Sequence, residues 1–400
     1  MNACRTLLAS LLLLPTIAFA AEPAPSVELK QGDRWVMAGD SITAQRLHTN
    51  YIEAFYRTRF PALGLQFRNS GIGGNRTESV LARFDYDVAG FKPTIVSIEL
   101  GMNDVGSGDD PAKYIAGMQT LIERIRAIPA TPVLISSSPV NDGSKLNDWK
   151  GDRCRRIHPY TEALVKLAQE NKVTVVDQYH PLLELWHQNK QQDGKEKFPL
   201  GGDPVHPGPV GQYTMAATIL NSLQADSEVS SATFKADGSV SEAKLCKISD
   251  VSAADGGLAF SRLDERGPWP VPANCQSALQ LMPAIADLSR YMLQVAGLPA
   301  GEYAVSMNGT EVAKVSSEQL AKGWNMTGLP TGPIAERGTK VMGLVTQLQG
   351  PLNNSWRAAS KAKDMTKLAE AKAAIEACEA ELVAACKPAA IQFAIRPAAK

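Results

Sequence analysis

Four short segments of the chain hold the residue types that acyl transfer through a serine requires: Gly39-Asp40-Ser41-Ile42, Gly71-Ile72-Gly73-Gly74-Asn75, Gly101-Met102-Asn103-Asp104 and Asp203-Pro204-Val205-His206. A serine hydroxyl becomes a nucleophile when a neighbouring base takes its proton, and neutral imidazole titrates in the right range. Ser41 and His206 supply that pair. Asp203, three residues before His206 in a proline-bounded turn, is placed to fix the ring tautomer and to stabilise the imidazolium. The tetrahedral intermediate carries a new negative oxygen, and the N–H of Ser41, the N–H of Gly74 and the side-chain amide of Asn103 are donors for it. Glycine at position 74 leaves room for close backbone approach. Asp40 reads as a turn or helix-capping carboxylate.

These groups can meet only if secondary structure delivers them to one place. From Trp35 to about Ala225, short apolar runs alternate with amphipathic stretches. Strands are expected at 35–38, 65–67, 94–100, 132–135 and 173–176, and helices at 47–60, 112–128 and 159–169. Such alternation predicts a parallel sheet covered on both faces. Open parallel sheets bind ligands beyond the carboxyl ends of their strands, near the point where strand order reverses. With the order 2-1-3-4-5, Ser41 follows strand one, flanked by Gly74 after strand two and Asn103 after strand three. Asp203 and His206 follow the last strand and precede a helix opening near Pro207-Gly208, so one rim can hold every reactive group.

The four segments closely resemble the blocks of the SGNH, or GDSL, hydrolase family of esterases and lipases. Gly39-Asp40-Ser41 matches the first block, Gly74 the second, Gly101-Met102-Asn103-Asp104 the third and Asp203-Pro204-Val205-His206 the fifth. The resemblance spans about residues 27–225. It implies a flavodoxin-like three-layer α/β/α domain, a catalytic Ser41, Asp203 and His206, an oxyanion hole of Ser41, Gly74 and Asn103, and no metal or organic cofactor. It also implies acyl-ester hydrolysis through an acyl-serine. An O-acetylated carbohydrate is the substrate expected by family analogy. Lysophospholipase or thioesterase specificity, an O-acetyltransferase with the same triad, and a non-catalytic glycan-binding protein are the alternatives.

Composition narrows the remaining classes. The chain has 400 residues, 44 % of them apolar and 20 % charged, a globular balance long enough for two domains. Formal net charge is zero, so no long-range field favours nucleic acid or an anionic membrane. Arg5, the apolar run Leu7–Leu14 and Ala18-Phe19-Ala20 read as a signal peptide over residues 1–20, which predicts a periplasmic or secreted protein without a transmembrane segment.

After Ala225 the pattern changes. Residues 227–241 are rich in small polar types and read as a linker or an exposed hairpin. Tyr303–Met307, an Asn308-Gly309 turn and Val312–Val315 predict a β-hairpin. Residues 359–385, dense in Ala, Lys and Glu, predict one long amphipathic helix. Residues 226–400 thus form a smaller mixed α+β module. Outside the leader, five cysteines remain. Cys246 and Cys275, in one β-rich region, are the expected disulfide, while Cys378 and Cys386 lie too far apart along one helix to pair. The cysteines lack the paired short intervals of a zinc site, and His48, His187, His158 and His180 read as helix-face or element-start residues, with a metal site built from them as the alternative. Asn75 and Arg76 are candidate substrate contacts with loop anchoring as the alternative. Trp269 and Trp356 are candidate pocket walls or packing residues.

Overall fold

In the computed structural model, which describes residues 27–398, the apolar run at Trp35 becomes β1 (Arg34–Gly39), buried from its second residue onward. The expected leader, residues 1–20 with Cys4, lies outside the described residues. The chain then follows α1 (Ser41–Ala44), α2 (His48–Arg59), β2 (Gln66–Gly71), α3 (Thr77–Arg83), β3 (Ile95–Glu99), α4 (Ala112–Arg126), β4 (Thr131–Ile135), α5 (Asp152–Asn171), β5 (Thr174–Val176), α6 (Tyr179–Asn189) and α7 (Pro209–Ser222). The five strands pair in parallel in the order β2-β1-β3-β4-β5. Helices cover both faces, so the strands are buried almost throughout; β1 and β4 are largely apolar, whereas β2 carries buried Arg68, Asn69 and Ser70 and β3 ends on buried Glu99. The apolar core runs from Val36 and Val96 to Leu121, Leu164 and Ile219.

Residues after Ala225 build two further sheets. β6 (Glu228–Lys235), β7 (Val240–Lys244), β8 (Cys246–Ala254) and β9 (Gly257–Asp264) lead through α8 (Ala278–Leu281) to β10 (Arg290–Ala296). β11 (Glu302–Met307), β12 (Thr310–Ser316), α9 (Ser317–Lys322) and β13 (Trp324–Asn325) follow. Three helices, α10 (Gly332–Gly350), α11 (Arg357–Ala362) and α12 (Met365–Cys386), precede a final β14 (Ile391–Pro397). One sheet has the order β13-β10-β6-β7 and the other β12-β11-β14-β9-β8. They enclose their own core, in which Phe260 sits between Phe234, at 4.4 Å between ring centroids, and Phe393, at 4.9 Å. The helices instead extend the first domain: Val345 and Leu348 of α10 and Leu382 of α12 are buried with Ala54 of α2.

Four expectations need correction. Residues 227–241, expected as a linker or an exposed hairpin, do fold as a hairpin of β6 on exposed β7, but β6 is an inner strand whose Val229 and Phe234 are fully buried. Its small polar residues mislead because Ser230 is buried too, held by Asp264 and Arg262. The single helix at 359–385 is two, broken where Lys363 turns left-handed (φ 55°) and Asp364 accepts from the Lys367 amide to start α12. The helix expected from Pro159 begins at Asp152, with Pro159 inside it. Buried Cys154 and Ile157 anchor those added turns against the core. Finally, the Cys246–Cys275 bridge does not form. All five described cysteines are free, and these two belong to different cores. Among the described residues no helix is long and apolar enough to cross a membrane.

Candidate active site

β1 ends at Gly39, and Asp40 turns the chain into α1 by accepting the Ile42 amide at 2.9 Å. Ser41 is therefore the first residue of a helix at the carboxyl end of the sheet. The 201–208 segment reaches the same rim from the other side. Asp203 Oδ1 accepts the amides of Val205, at 2.8 Å, and His206, at 2.9 Å. Those bonds fold Asp203–His206 into a self-closed turn. Gly202 makes it possible: its φ is 74°, and a Cβ there would fall 2.0 Å from the His206 carbonyl oxygen.

The two segments meet at hydrogen-bond distance. Ser41 Oγ lies 2.8 Å from His206 Nε2, and His206 Nδ1 lies 3.0 Å from Asp203 Oδ2. Hydrogen bonds from the His206 amide, the His206 ring and the Val205 amide hold the Asp203 carboxyl below the usual carboxylate range. Ionised Asp203 favours a proton on Nδ1 and leaves the Nε2 lone pair facing the serine. The site is open, with 36 % of the His206 side chain and 59 % of that of Asp203 exposed.

Gly74 and Asn103 stand on the same rim. Gly74 has φ 73°, and Gly73 beside it comes close enough that a Cβ there would sit 4.0 Å from Ser41 Cβ. Asn103 donates from Nδ2 to the Asn75 carbonyl, at 3.1 Å, and to Asp40 Oδ2, at 3.4 Å. Its amide is thus aimed between the Ser41 turn and the Gly74 loop. Asp104 ties the two loops together by accepting from the Thr77 amide and hydroxyl.

The other candidate contacts fare differently. Asn75 is a loop anchor, its Oδ1 accepting from Arg83 Nε at 2.9 Å. Half-buried Arg76 stands beside Gly106 on the same rim. Trp269 is no pocket wall: it is 1 % exposed, stacks on Tyr213 at 4.3 Å and donates from Nε1 to the Tyr51 carbonyl. The Pro268-Trp269-Pro270 stretch packs onto α2 and α7 because burying that ring removes a large apolar area from water. Trp356 is also buried, under the Arg68 guanidinium at 4.2 Å.

Beneath Ser41 lies a polar network that motif reading does not reveal. His48 Nε2 is 2.9 Å from Glu99 Oε2, and its Nδ1 is 2.8 Å from Gln212 Oε1. Both ring nitrogens face acceptors, so the ring is a doubly donating imidazolium. Burial pushes His48 down, but the Glu99 carboxylate outweighs it and the net shift is upward. Gln212 in turn donates to the Pro207 carbonyl, next to His206. Burial and the charge of Glu99 push the Asp40 carboxyl up to about 7. A glutamate closing the apolar run Ile95–Ile98 was the one local sign of this network.

Comparison with known proteins places this fold among related ones. Residues 37–213 match the GDSL-like lipase/acylhydrolase family. An acetylxylan esterase from Geobacillus stearothermophilus is 24 % identical over 224 residues, which cover 49 % of this chain and 96 % of that protein. Among solved structures, a gut microbial diltiazem-metabolizing enzyme superimposes with a TM-score of 0.80 at 21 % identity, covering 94 % of this chain and 100 % of that one. Nearly the whole architecture, later sheets included, is therefore a shared fold.

Proposed function

We propose the following specificity and mechanism for a chain that belongs, through residues 37–213, to the GDSL-like lipase/acylhydrolase family and is a carboxylic ester hydrolase. It removes short acyl groups, acetyl first among them, from carbohydrate hydroxyls. Ser41 is the nucleophile, His206 the base and Asp203 its orienting carboxylate. The observation that carries this assignment is the unbroken chain of contacts from Ser41 Oγ to His206 Nε2, at 2.8 Å, and from His206 Nδ1 to Asp203 Oδ2, at 3.0 Å.

His206 Nε2 takes the Ser41 proton as Oγ attacks the ester carbonyl carbon. The carbonyl oxygen becomes an oxyanion, met by the N–H groups of Ser41 and Gly74 and by Asn103 Nδ2. The imidazolium then protonates the leaving alkoxide and an acyl-Ser41 remains. Water attacks that ester with His206 again as base, releasing the carboxylic acid and restoring the hydroxyl. Asn103 has two amide hydrogens, so one can stay on the Asn75 carbonyl while the other turns to the oxyanion. Asn103→Ala is expected to lower kcat about 10²–10³-fold with little change in KM, measured on p-nitrophenyl acetate.

Two features support a polar, bulky substrate. The segments that carry Ser41, Gly74, Asn103 and His206 also carry polar groups not fully buried, Arg76, Asn103 and Asp203 among them, which offer a sugar hydrogen-bonding partners. The similarity to an acetylxylan esterase points the same way. The leader read from residues 1–20 adds export to the proposal. The test is a specificity profile across acetylated oligosaccharides, p-nitrophenyl esters of increasing acyl length, and lysophospholipid, with free oligosaccharide added as an acceptor. We expect kcat/KM to be highest for acetyl esters and to fall with chain length, and acetate to be released to water. A preference for lysophospholipid or long acyl chains, or transfer to the acceptor exceeding hydrolysis, would overturn it.

A further inference from the structure

We propose that His158, Glu162 and His180 form a binding site for a transition-metal dication of the Zn²⁺ class, separate from the ester-cleaving centre. One ligand atom from each of the three lies within 4.8 Å of the others. His158 and Glu162 are four residues apart on α5, so they project from one face of the helix. His180 comes from the first turn of α6, just beyond β5. The three donors thus converge from two elements that the sheet holds side by side.

The imidazoles are held in place for ligation. Asp177 Oδ2 sits 2.6 Å from His180 Nδ1, which leaves His180 Nε2 facing Glu162 Oε1 at 3.5 Å. A carboxylate behind a histidine in this way fixes the tautomer and raises the basicity of the outward nitrogen, the arrangement that commonly backs metal-ligating histidines. Aromatic neighbours fix the ring of His158, with Trp149 at 5.8 Å, Tyr179 at 6.2 Å and His180 edge-on at 5.3 Å between centroids. Without a metal, a protonated His180 between Asp177 and Glu162 is a simple ion triad. That triad has no use for His158, whereas a metal uses all three donors.

The donor set selects the ion. Two neutral imidazoles and one carboxylate suit Zn²⁺, Co²⁺ or Ni²⁺, while Ca²⁺ and Mg²⁺ prefer all-oxygen shells. Three protein ligands leave a further position for water. Glu162 is mostly exposed, so an ion can enter from solvent without opening the fold. Once bound, it would cross-link α5 to the β5–α6 junction, and an ion that binds only the native state raises stability by mass action. The linear sequence conceals the site because Glu162 and His180 lie on different elements.

The experiment is calorimetric titration of tag-free full-length protein with ZnCl₂, alongside thermal unfolding at increasing Zn²⁺. His206→Ala serves as the background, so that the ester-cleaving imidazole is not what is measured. We expect one equivalent of Zn²⁺ per chain and a melting temperature that climbs with its concentration. His158→Ala, His180→Ala and Glu162→Gln should each weaken binding at least tenfold, and Asp177→Asn by about 10–100-fold. Mg²⁺ should not compete. Glu162→Gln alters an exposed side chain, so it decides the matter even if a histidine variant fails to fold. No uptake by the background protein, or undiminished uptake by Glu162→Gln and the folded histidine variants, overturns the site.

Discussion

Replacing Ser41 by alanine is expected to lower the turnover of p-nitrophenyl acetate by about 10⁶-fold while leaving the melting temperature nearly unchanged. The fold should not notice the change. Asp40, not Ser41, caps α1, and alanine is well suited to a first helical turn. Chemistry loses everything that runs through the hydroxyl: His206 has no proton to take and no acyl-enzyme can form. What survives is binding and the amide donors for the oxyanion, which alone leave about 10³–10⁴ over the uncatalysed reaction. Residues acting as one unit are non-additive, so Ser41→Ala/His206→Ala should be no slower than Ser41→Ala alone. Steady-state kinetics and a mass-spectrometric search for acyl-enzyme check this. Activity within tenfold of the parent would place the nucleophile elsewhere.

Asp87→Asn is expected to cost about 3–5 kcal/mol of stability, the range for removing one partner of a buried ion pair. Asp87 and Arg68 are fully buried, and Arg83 nearly so. The one carboxylate contacts Arg68 and Arg83, accepts from Arg357 Nε at 2.8 Å and from Ser70 Oγ at 2.8 Å. Burial raises the carboxyl, but Arg68, Arg357 and Arg83 outweigh it and hold it below the usual range. Burial pushes Arg68 down to about 10, a sign of how hard these cations are to keep in the core. An amide at position 87 leaves three guanidiniums without an anion.

The acid response has a definite sign. A carboxyl whose folded pKa lies below its unfolded value stabilises above the unfolded value. That stability disappears as pH falls through the folded value. The Asp87 increment should therefore be complete at neutral pH and vanish only in strong acid. Urea unfolding at pH 7 measures the loss, and an unchanged midpoint would contradict it. The same variant should lose activity, because Arg83 also donates to the Ser70 carbonyl, at 2.7 Å, and to Asn75 of the Gly74 loop. Arg68 donates to the Leu352 carbonyl and Arg357 begins α11, so one carboxylate couples the later helices to the Gly74 loop.

Much of the first domain was legible in the sequence. A strand such as Ile95–Glu99, buried on both faces, reads as a mostly apolar run, and the turn that follows carries Gly101 and Asn103. Strand identity and the placing of Ser41, Gly74, Asn103 and His206 after strands or before a helix follow from such local rules, whereas the strand order was legible only through the family resemblance. The break in the C-terminal helix did not follow. Ala, Lys and Glu favour helix on both sides of Lys363, and no Gly or Pro marks the position. Packing decides it: Trp356 and Ser360 lock α11 onto the first domain, Ser360 Oγ donating to the Tyr86 carbonyl at 2.7 Å.

Local residue pattern by itself therefore determined most elements of the first domain and which groups stand at their ends. Only the tertiary structure decided which distant groups share a low-dielectric interior. His48, Glu99 and Gln212 became one buried network, and Cys246 and Cys275 were sent to separate cores. The reason is one of range. Backbone propensity and apolar periodicity act over a few neighbouring residues, whereas a buried charge or thiol finds its partner through the folded path of the whole chain.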